Sequence, residues 1–224
     1  HTIGGPNAKW PPELKVSNFV LKKIRIDTEP LFDSLDKYIG NKTKAKKDLF
    51  LEKYKKIILF FGSMYSWKGP DTLLDSIENI SEECHIIFAG NLQTYKGDLD
   101  RFKDPRITLI NKPDDNQMYK LFHSSDMVIC PYGPTYSYGT SSVCMSSILS
   151  GKPVVCPSIE PFISVINNFK CGEIYTLNDS LSLAAAINKI FSNLSFNESN
   201  YNNMVKEFIQ TIVKWEDILH FHIN

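Results

Sequence analysis

The stretch YGPTYSYGTSSVCMSSILSGKPVVCP, residues 132–157, contains a loop, a helix and a strand in direct succession. The loop is rich in glycine, proline and hydroxyl-bearing residues, which are typical of turns. Small and apolar residues from Ser141 to Leu149 then predict a short helix that ends at Gly151. The apolar run Val154–Cys156 predicts a strand that is buried within a sheet. This succession is typical of α/β domains.

The start of this helix has the features of a phosphate-binding site. The first backbone N–H groups of a helix have no partners within it, and they carry partial positive charge that favours a bound phosphate. Gly139, Thr140, Ser141 and Ser142 stand at this start, where glycine allows a close approach and the hydroxyls add donors. Ser and Thr are also ordinary N-cap residues, so the helix start alone leaves both interpretations open.

Apolar runs alternate with helical patterns along the chain from Lys56 onwards. The runs that predict strands are Ile57–Phe61, His85–Gly90, Ile107–Ile110, Met127–Cys130, Val154–Cys156 and Gly172–Tyr175. Further helices are predicted at Asp71–Ile80, Asp115–Phe122, Glu160–Asn168 and Leu181–Phe191, over 201–212 and 214–220, and in a lysine-rich segment within 41–54. Fully apolar strands that alternate with helices predict the α/β fold class, with a Rossmann-like parallel sheet and helices on both faces.

The carboxyl ends of the predicted strands favour a binding site at the same place as the helix start. In parallel sheets, ligands bind outside the carboxyl ends of the strands. Gly62, Gly90, Asn111 and Pro131 stand at these ends. Because the loop with Gly139 follows Pro131, phosphate binding becomes the favoured interpretation of the helix start.

Composition indicates a globular protein and excludes some classes of partner. The chain has 224 residues, enough to bury a substantial core, and 42% of them are hydrophobic. Lys and Arg together number 25, as do Asp and Glu, so no basic field argues for nucleic acid. The sequence contains no run of about 18 apolar residues and no signal peptide, so neither a membrane span nor secretion is expected.

The cysteines predict a reducing environment. All 5 are scattered through the chain without CxxC spacing: Cys84, Cys130, Cys144, Cys156 and Cys171. Several lie in apolar runs, so we interpret them as small buried hydrophobic residues of a cytoplasmic protein. No cluster of Asp and His has metal-ligand spacing, so no obligatory metal is expected.

Several segments follow one another in an order typical of one known family. These are IILFFGSMYSWKGPDTLLDSI, MYKLFHSSDMVICPY, GTSSVCMSSILSGKPVV, KCGEIY and KWEDIL. They resemble the C-terminal lobe of the family-4 glycosyltransferases, which have the GT-B fold. The first resembles that lobe's opening strand, glycine, Lys-Gly loop and helix, and the third its glycine loop, helix and G-x-P-V-V strand. The resemblance covers roughly residues 44–219, and the order and spacing are more specific than any single segment.

In that family, this lobe binds the nucleotide-sugar donor. The resemblance therefore implies that the donor diphosphate contacts residues of two loops, namely Gly62, Ser63, Lys68, Gly139, Thr140, Ser141 and Ser142. Lys68 stands where the family has a diphosphate-binding lysine, and an ammonium can neutralise a diphosphate without a metal. The alternative is an ordinary solvated loop lysine. The donor would be a UDP- or GDP-sugar, and no cofactor is implied.

The chain departs from the family at its acidic pair. The glutamates of the family's E-x7-E pattern correspond here to Tyr138 and Ser146 when the sequences are aligned on Gly151. These two residues are the expected contacts to the ribose or sugar, although a serine hydroxyl is a weaker acceptor than a carboxylate. Alternatively, Ser146 contacts no ligand and is simply a small residue that allows the helix to pack closely. The family's arginine near the first strand is also absent, because Ser63 directly follows the glycine.

The resemblance also implies a division of labour between two lobes. The family's catalytic histidine and acceptor site belong to an N-terminal lobe. We therefore expect residues 1–43 to be an interdomain linker or a remnant of that lobe, and residues 44–224 to form the nucleotide-sugar-binding Rossmann-like domain with C-terminal helices. No catalytic residue is expected in this chain, and the isolated lobe is expected to be inactive. His85 and His123 are interpreted as core-edge or surface residues.

The function that the resemblance implies is glycosyl transfer from a nucleotide-diphosphate donor. The enzyme would be a retaining hexosyltransferase with a glycan or lipid-linked acceptor, acting in bacterial surface polysaccharide or lipopolysaccharide biosynthesis. Its location would be cytoplasmic, or peripheral at the inner face of the membrane, and its partners would include the N-terminal lobe but no nucleic acid. Two alternatives stay open: a non-catalytic nucleotide-binding or scaffold module of the same fold, and a sugar-nucleotide epimerase.

Overall fold

The computed structural model describes residues 35–81, 83–136 and 141–192, together with residue 205. Its centre is a sheet of 6 strands in the order β3-β2-β1-β4-β5-β6, in which every neighbouring pair is parallel. The strands are β1 (Lys56–Phe61), β2 (Cys84–Gly90), β3 (Ile107–Asn111), β4 (Met127–Ile129), β5 (Val154–Pro157) and β6 (Gly172–Tyr175). The predicted parallel sheet is confirmed, and its strands begin and end within one residue of the predicted bounds.

The described residues form six α-helices, which precede, connect or follow the strands. They are α1 (Lys42–Asp48), α2 (Pro70–Ser76), α3 (Asp115–Ser124), α4 (Ser142–Leu149), α5 (Phe162–Phe169) and α6 (Ser180–Ser192). The helix predicted from Asp115 does begin there, and Asp114 caps it and forms a capping box with Gln117. The helix predicted at Asp71–Ile80 is α-helical only to Ser76 and continues as a short 3-10 turn at Ile77–Asn79.

Helices cover both faces of the sheet, as predicted. Alternate residues of β1 point to opposite faces, so Ile57 and Leu59 join one core cluster while Ile58 and Phe60 join the other. Buried residues of α3, α4 and α5 complete the first cluster, and buried residues of α2 and α6 complete the second. This two-layer covering explains why β1 and β2 are continuous apolar runs.

The predictions for the two ends of the chain fall largely outside the described residues. Residues 1–34 and the helices predicted over 201–212 and 214–220 belong there, apart from residue 205. Part of the predicted linker is described: the 3-10 turn Leu35–Tyr38 buries the side chain of Tyr38 against the first core cluster. Within the described part of the chain, no helix is long and apolar enough to cross a membrane.

The strand order creates a switch point between β1 and β4. The chain runs from β1 outward to β2 and β3 on one side, and from β4 outward to β5 and β6 on the other. At such a point the loops that follow the two central strands diverge and leave a crevice outside their carboxyl ends. The loops after β1 and β4 therefore form the first place to look for a ligand site.

Candidate functional site

The loop after β1 packs directly on the end of β4. It contains a 3-10 turn, Ser66–Lys68, and then Gly69, which has φ 69° and precedes α2. A Cβ atom on Gly69 would lie 1.8 Å from the carbonyl oxygen of Pro131, so only glycine fits here. The backbone N–H of Gly133 donates to the carbonyl oxygen of Trp67 at 2.8 Å. These contacts fix the position of the turn that carries Lys68.

Lys68 extends over the carboxyl end of β1. Its Nζ lies 3.8 Å from the position that a Cβ on Gly62 would occupy, and it donates to the hydroxyl of Tyr132 at 2.9 Å. The Nζ also lies 4.4 Å from the ring centre of Tyr132 and 5.1 Å from that of Trp67. Burial lowers the pKa of Lys68, while the nearby thiol of Cys130 opposes this shift. Among the ion pairs of the described residues, none involves Lys68.

Helix α4 begins beside Lys68. Ser141 is its N-cap residue, and the Oγ of Ser141 accepts a hydrogen bond from the backbone N–H of Cys144 at 3.3 Å. The same Oγ lies 2.8 Å from the hydroxyl of Tyr132. One phenol hydroxyl therefore joins the ammonium of Lys68 to the positive end of α4. This arrangement concentrates hydrogen-bond donors and positive charge in one crevice.

The structure brings together several of the predicted diphosphate residues. Gly62, Lys68 and Ser141 meet at the switch point, and Ser142 is exposed at the first position of α4. Ser63 follows Gly62 and is half-buried. The predicted residues Tyr138, Gly139 and Thr140 lie outside the described residues. The role of every one of these residues in binding stays a prediction.

Ser146, the other predicted ribose or sugar contact, lies further along α4. It is buried, and its Oγ is 3.4 Å from the hydroxyl of Tyr38. Burial raises the pKa of Tyr38, so this phenol keeps its proton near neutral pH. The polar contact that Ser146 makes is therefore to the segment that precedes α1.

The sequence interpretation missed an aromatic cluster that surrounds the ammonium. Tyr132 is 1% exposed, and its ring packs against Tyr136 with centroids 4.6 Å apart. Trp67 is parallel to Tyr136 within 18°, at 5.9 Å, and Tyr136 is in turn parallel to the buried Phe162 within 22°. The tyrosines of the stretch YGPTYSY were the available signal, because aromatic residues are unusual in a loop of turn-formers.

The described histidines lie away from this crevice. His85 is at the start of β2, where its ring stacks on Tyr54 at 3.5 Å and its Nε2 lies 2.8 Å from the Oγ1 of Thr108. The ring of His123 packs against the backbone of Gly40. These contacts agree with the interpretation of both residues as core-edge side chains.

Comparison with known sequences identifies relatives of this chain. The sequence profile of the family described as glycosyl transferases group 1 matches residues 41–208. An uncharacterized glycosyltransferase of Methanocaldococcus jannaschii, MJ1607, is 24% identical over 192 residues, which cover 82% of this chain and 47% of that protein. The chain thus spans about half the length of this curated relative.

Solved structures with the same fold include enzymes and isolated domains. Anabaena HepE, determined in complex with UDP, superimposes with a TM-score of 0.69 at 17% identity. The alignment covers 80% of this chain and 51% of the HepE chain. The C-terminal domain of LpcC, a glycosyl transferase group 1 family protein of Francisella tularensis, superimposes with a TM-score of 0.65 at 16% identity. That alignment covers 81% of this chain and 98% of the solved domain. At these identities the likeness establishes the fold, which is that of a GT-B C-terminal lobe.

Proposed function

The chain belongs to the glycosyl transferases group 1 family, and from this premise we propose that it is the donor-binding lobe of a glycosyltransferase. The lobe binds a nucleotide-diphosphate sugar at the switch point between β1 and β4. The complete enzyme transfers the sugar to a glycan or lipid-linked acceptor with retention of configuration, and it serves bacterial surface polysaccharide biosynthesis. The catalytic group and the acceptor site belong to a second lobe.

The proposal depends on one observation above all others. The Nζ of Lys68 and the Oγ of Ser141 lie 2.9 Å and 2.8 Å from the same phenol oxygen, although 73 residues separate them in the chain, from position 68 to position 141. A diphosphate offers only acceptor oxygens and negative charge. An ammonium that pairs with no carboxylate among the described residues and a helix N-terminus are both suited to such a ligand.

The charge of Lys68 also suits the leaving group of the proposed reaction. In glycosyl transfer, negative charge builds up on the departing diphosphate, and a fixed ammonium stabilises that charge as it develops. Lys68 therefore has a role both in binding the donor and in stabilising its leaving group.

UDP is the first nucleotide to test, because Anabaena HepE was determined in complex with UDP. Tyr138 and Ser146 stay the proposed contacts to the ribose or sugar. The hydroxyl of Ser146 contacts Tyr38, so a ribose hydroxyl would share or replace this hydrogen bond. A GDP-sugar is the alternative donor within the same proposal.

Calorimetric titration of the 224-residue chain tests the proposal directly. We expect UDP or GDP to bind, and Lys68→Met to weaken the binding by about tenfold or more, the usual cost of losing a charge-assisted hydrogen bond. Lys103→Met is the matched control, because the side chain of Lys103 is 74% exposed and pairs with Asp100 away from the crevice. Absence of binding at millimolar nucleotide, or equal binding by the two variants, would contradict the proposal.

The position of Ser146 also favours a second candidate, a non-catalytic module of the same fold. A serine that is occupied with Tyr38 replaces the acidic residue that the family usually has at this position. Such a module would bind nucleotide without supporting transfer. Incubation of the protein that contains both lobes with a labelled UDP-sugar and a lipid-linked acceptor separates the two candidates, because only the enzyme releases UDP together with a labelled glycan.

A further inference from the structure

We infer that Tyr132 is a positioning residue that holds both phosphate-binding groups in place and sets the direction of their hydrogen bonds. The inference rests on the proposed function, because it concerns how the same crevice recognises a diphosphate. It identifies a residue for which the sequence provided no role. Its basis is the chain of hydrogen bonds from Lys68 through Tyr132 to Ser141.

The ring of Tyr132 is fixed by its surroundings. It is 1% exposed, and it meets Phe162 edge-on with centroids 5.6 Å apart and Trp67 edge-on at 6.2 Å. Tyr136 packs against it at 4.6 Å. A side chain that is enclosed by aromatic rings cannot change rotamer without opening the core. Its hydroxyl therefore occupies one position in the crevice.

The chemistry of the three groups decides which of them donates. A lysine ammonium has only donors, so the Lys68 Nζ donates and the Tyr132 oxygen accepts. Burial raises the pKa of Tyr132 far above its usual value, so the phenol retains its single proton. The phenol O–H therefore donates a hydrogen bond to the Oγ of Ser141, 2.8 Å away. The thiol of Cys130 also lies beside these hydroxyls, but sulfur is a weaker acceptor than oxygen.

Ser141 is thereby left with a hydrogen to donate. Its Oγ accepts from the Tyr132 hydroxyl and from the backbone N–H of Cys144, which uses its two acceptor positions. Its own O–H remains a donor, either to the Tyr136 hydroxyl and the Cys130 thiol beside it or to an oxygen of a bound ligand. The Lys68 ammonium has three donors, and the hydrogen bonds of the described residues use one of them. The crevice therefore presents donors from both groups, which suits a diphosphate and disfavours ligands that must donate.

Tyr132→Phe tests this inference with the smallest change in shape. The variant keeps the ring that packs against the aromatic cluster and the ammonium, but it loses both hydrogen bonds. We expect the affinity for UDP, and for inorganic pyrophosphate measured in competition with UDP, to fall by about tenfold. The affinity for uridine, which has no phosphate, stays unchanged.

Two further variants separate positioning from a general loss of structure. Tyr175→Phe removes another buried phenol hydroxyl, one without a hydrogen-bond partner in the described part of the chain, and it should bind UDP as tightly as the unmodified protein. In the double variant Lys68→Met, Tyr132→Phe, the second change should weaken binding by less than it does alone, because only its effect through Ser141 is left. Independent structural effects would instead add.

The outcomes distinguish this inference from the proposed function. If the unmodified chain binds neither UDP, GDP nor pyrophosphate, the proposed function fails and the inference fails with it. If Lys68→Met weakens UDP binding while Tyr132→Phe binds normally, or if the two effects add fully, only the inference about Tyr132 is overturned. If Tyr132→Phe weakens uridine and UDP equally, the residue supports the fold and does not position the phosphate-binding groups.

Discussion

The two ends of the central sheet use their lysines in opposite ways. At the amino end, Lys42 pairs with Asp126, and the other carboxylate oxygen of Asp126 accepts from the backbone N–H of Ile57 at 2.8 Å. At the carboxyl end, Lys68 has a phenol and aromatic rings for neighbours and takes part in none of the ion pairs of the described residues. A paired charge holds the fold together, whereas an unpaired one is available to a ligand.

This difference follows from the direction of the connections in a parallel α/β sheet. Each helix that follows a strand begins near the carboxyl end of the sheet, so unpaired N–H groups and positive dipole ends gather there. An acidic residue placed beside them would neutralise the site. At the amino end, no ligand competes, and Asp126 connects α1 to β1 without such a conflict.

The largest expected effect on stability comes from a substitution that disturbs the contact between Gly69 and Pro131 at the carboxyl end of the sheet. Gly69→Ala places a Cβ 1.8 Å from the carbonyl oxygen of Pro131 at φ 69°, so we expect it to lower the free energy of unfolding by about 3 kcal/mol. Chemical denaturation measures this loss.

Gly133→Ala in the neighbouring loop is the matched control for Gly69→Ala. A Cβ at Gly133 would have its nearest neighbour, the Trp67 carbonyl oxygen, at 3.7 Å, which is an ordinary contact. We expect the stability of this variant to stay within about 0.5 kcal/mol of the unmodified protein. Equal losses in the two variants would show that the contact between the loops is not what holds Lys68 in place.

Substitutions of Asp126 test whether the ion pair at the amino end of the sheet serves stability alone. Asp126→Ala removes the acceptor for Lys42 and for the Ile57 N–H, and we expect it to cost about 2 kcal/mol of stability, because hydrogen bonds to charged groups are the strong ones. The affinity for UDP of the folded variant should not change. Asp126→Asn retains an acceptor for the backbone N–H and should lose less. A change in UDP affinity well beyond twofold would contradict the view that the amino end of the sheet serves stability and the carboxyl end serves binding.

The pH dependence of nucleotide binding tests whether Lys68 binds the diphosphate as an ammonium. Burial lowers its pKa, so the ammonium of the free protein loses its proton at a lower pH than an ordinary lysine does. A bound diphosphate favours the protonated form, and affinity therefore falls as pH rises through that lowered pKa. We expect a loss of about tenfold, or about 1.4 kcal/mol, between pH 7 and pH 10.

Lys68→Arg is the control for this profile, because a guanidinium keeps its charge over the whole range. Ionisation of the nucleotide itself affects both proteins equally. The ratio of the two affinities therefore isolates the lysine. A ratio that stays constant from pH 7 to pH 10 would show that Lys68 does not bind the diphosphate as an ammonium.

The smallest effect is expected at Tyr175, the last residue of β6. It is 1% exposed, and its hydroxyl has no hydrogen-bond partner among the described residues. Tyr175→Phe removes this buried polar group, so we expect stability to stay the same or to rise by about 0.5 kcal/mol. Thermal and chemical unfolding measure the change. A loss above about 1 kcal/mol would indicate that the hydroxyl does have a partner.

The four inner strands were predictable because they are largely buried on both faces, whereas the edge strands β3 and β6 are partly exposed. A strand such as Cys84–Gly90 has no exposed side, so apart from His85 it consists of apolar residues and glycine, and that pattern is visible without any knowledge of its neighbours. Helix limits were less predictable. The α-helix that begins at Pro70 tightens into a 3-10 turn at Ile77, and this change depends on how the segment packs.

The candidate site was predictable only in part. Gly62, Lys68 and Ser141 could be singled out because they stand at strand and helix ends and match the loops of the family that the sequence resembles, although an N-cap serine and a solvated loop lysine are common. Tyr132 was missed because a tyrosine after a strand is as often a packing residue as a polar one. Its significance comes from the two atoms that its hydroxyl contacts, the Ser141 Oγ and the Lys68 Nζ, and Lys68 is far from it in sequence.

The amino-acid sequence by itself determined the α/β alternation, the parallel sheet and the residues most suited to a phosphate, because hydrophobic period and capping chemistry act over a few residues. Only the tertiary structure decided that Lys68, Tyr132 and Ser141 form one chain of hydrogen bonds. That contact requires β1 and β4 to be neighbours in the sheet, which local sequence does not encode.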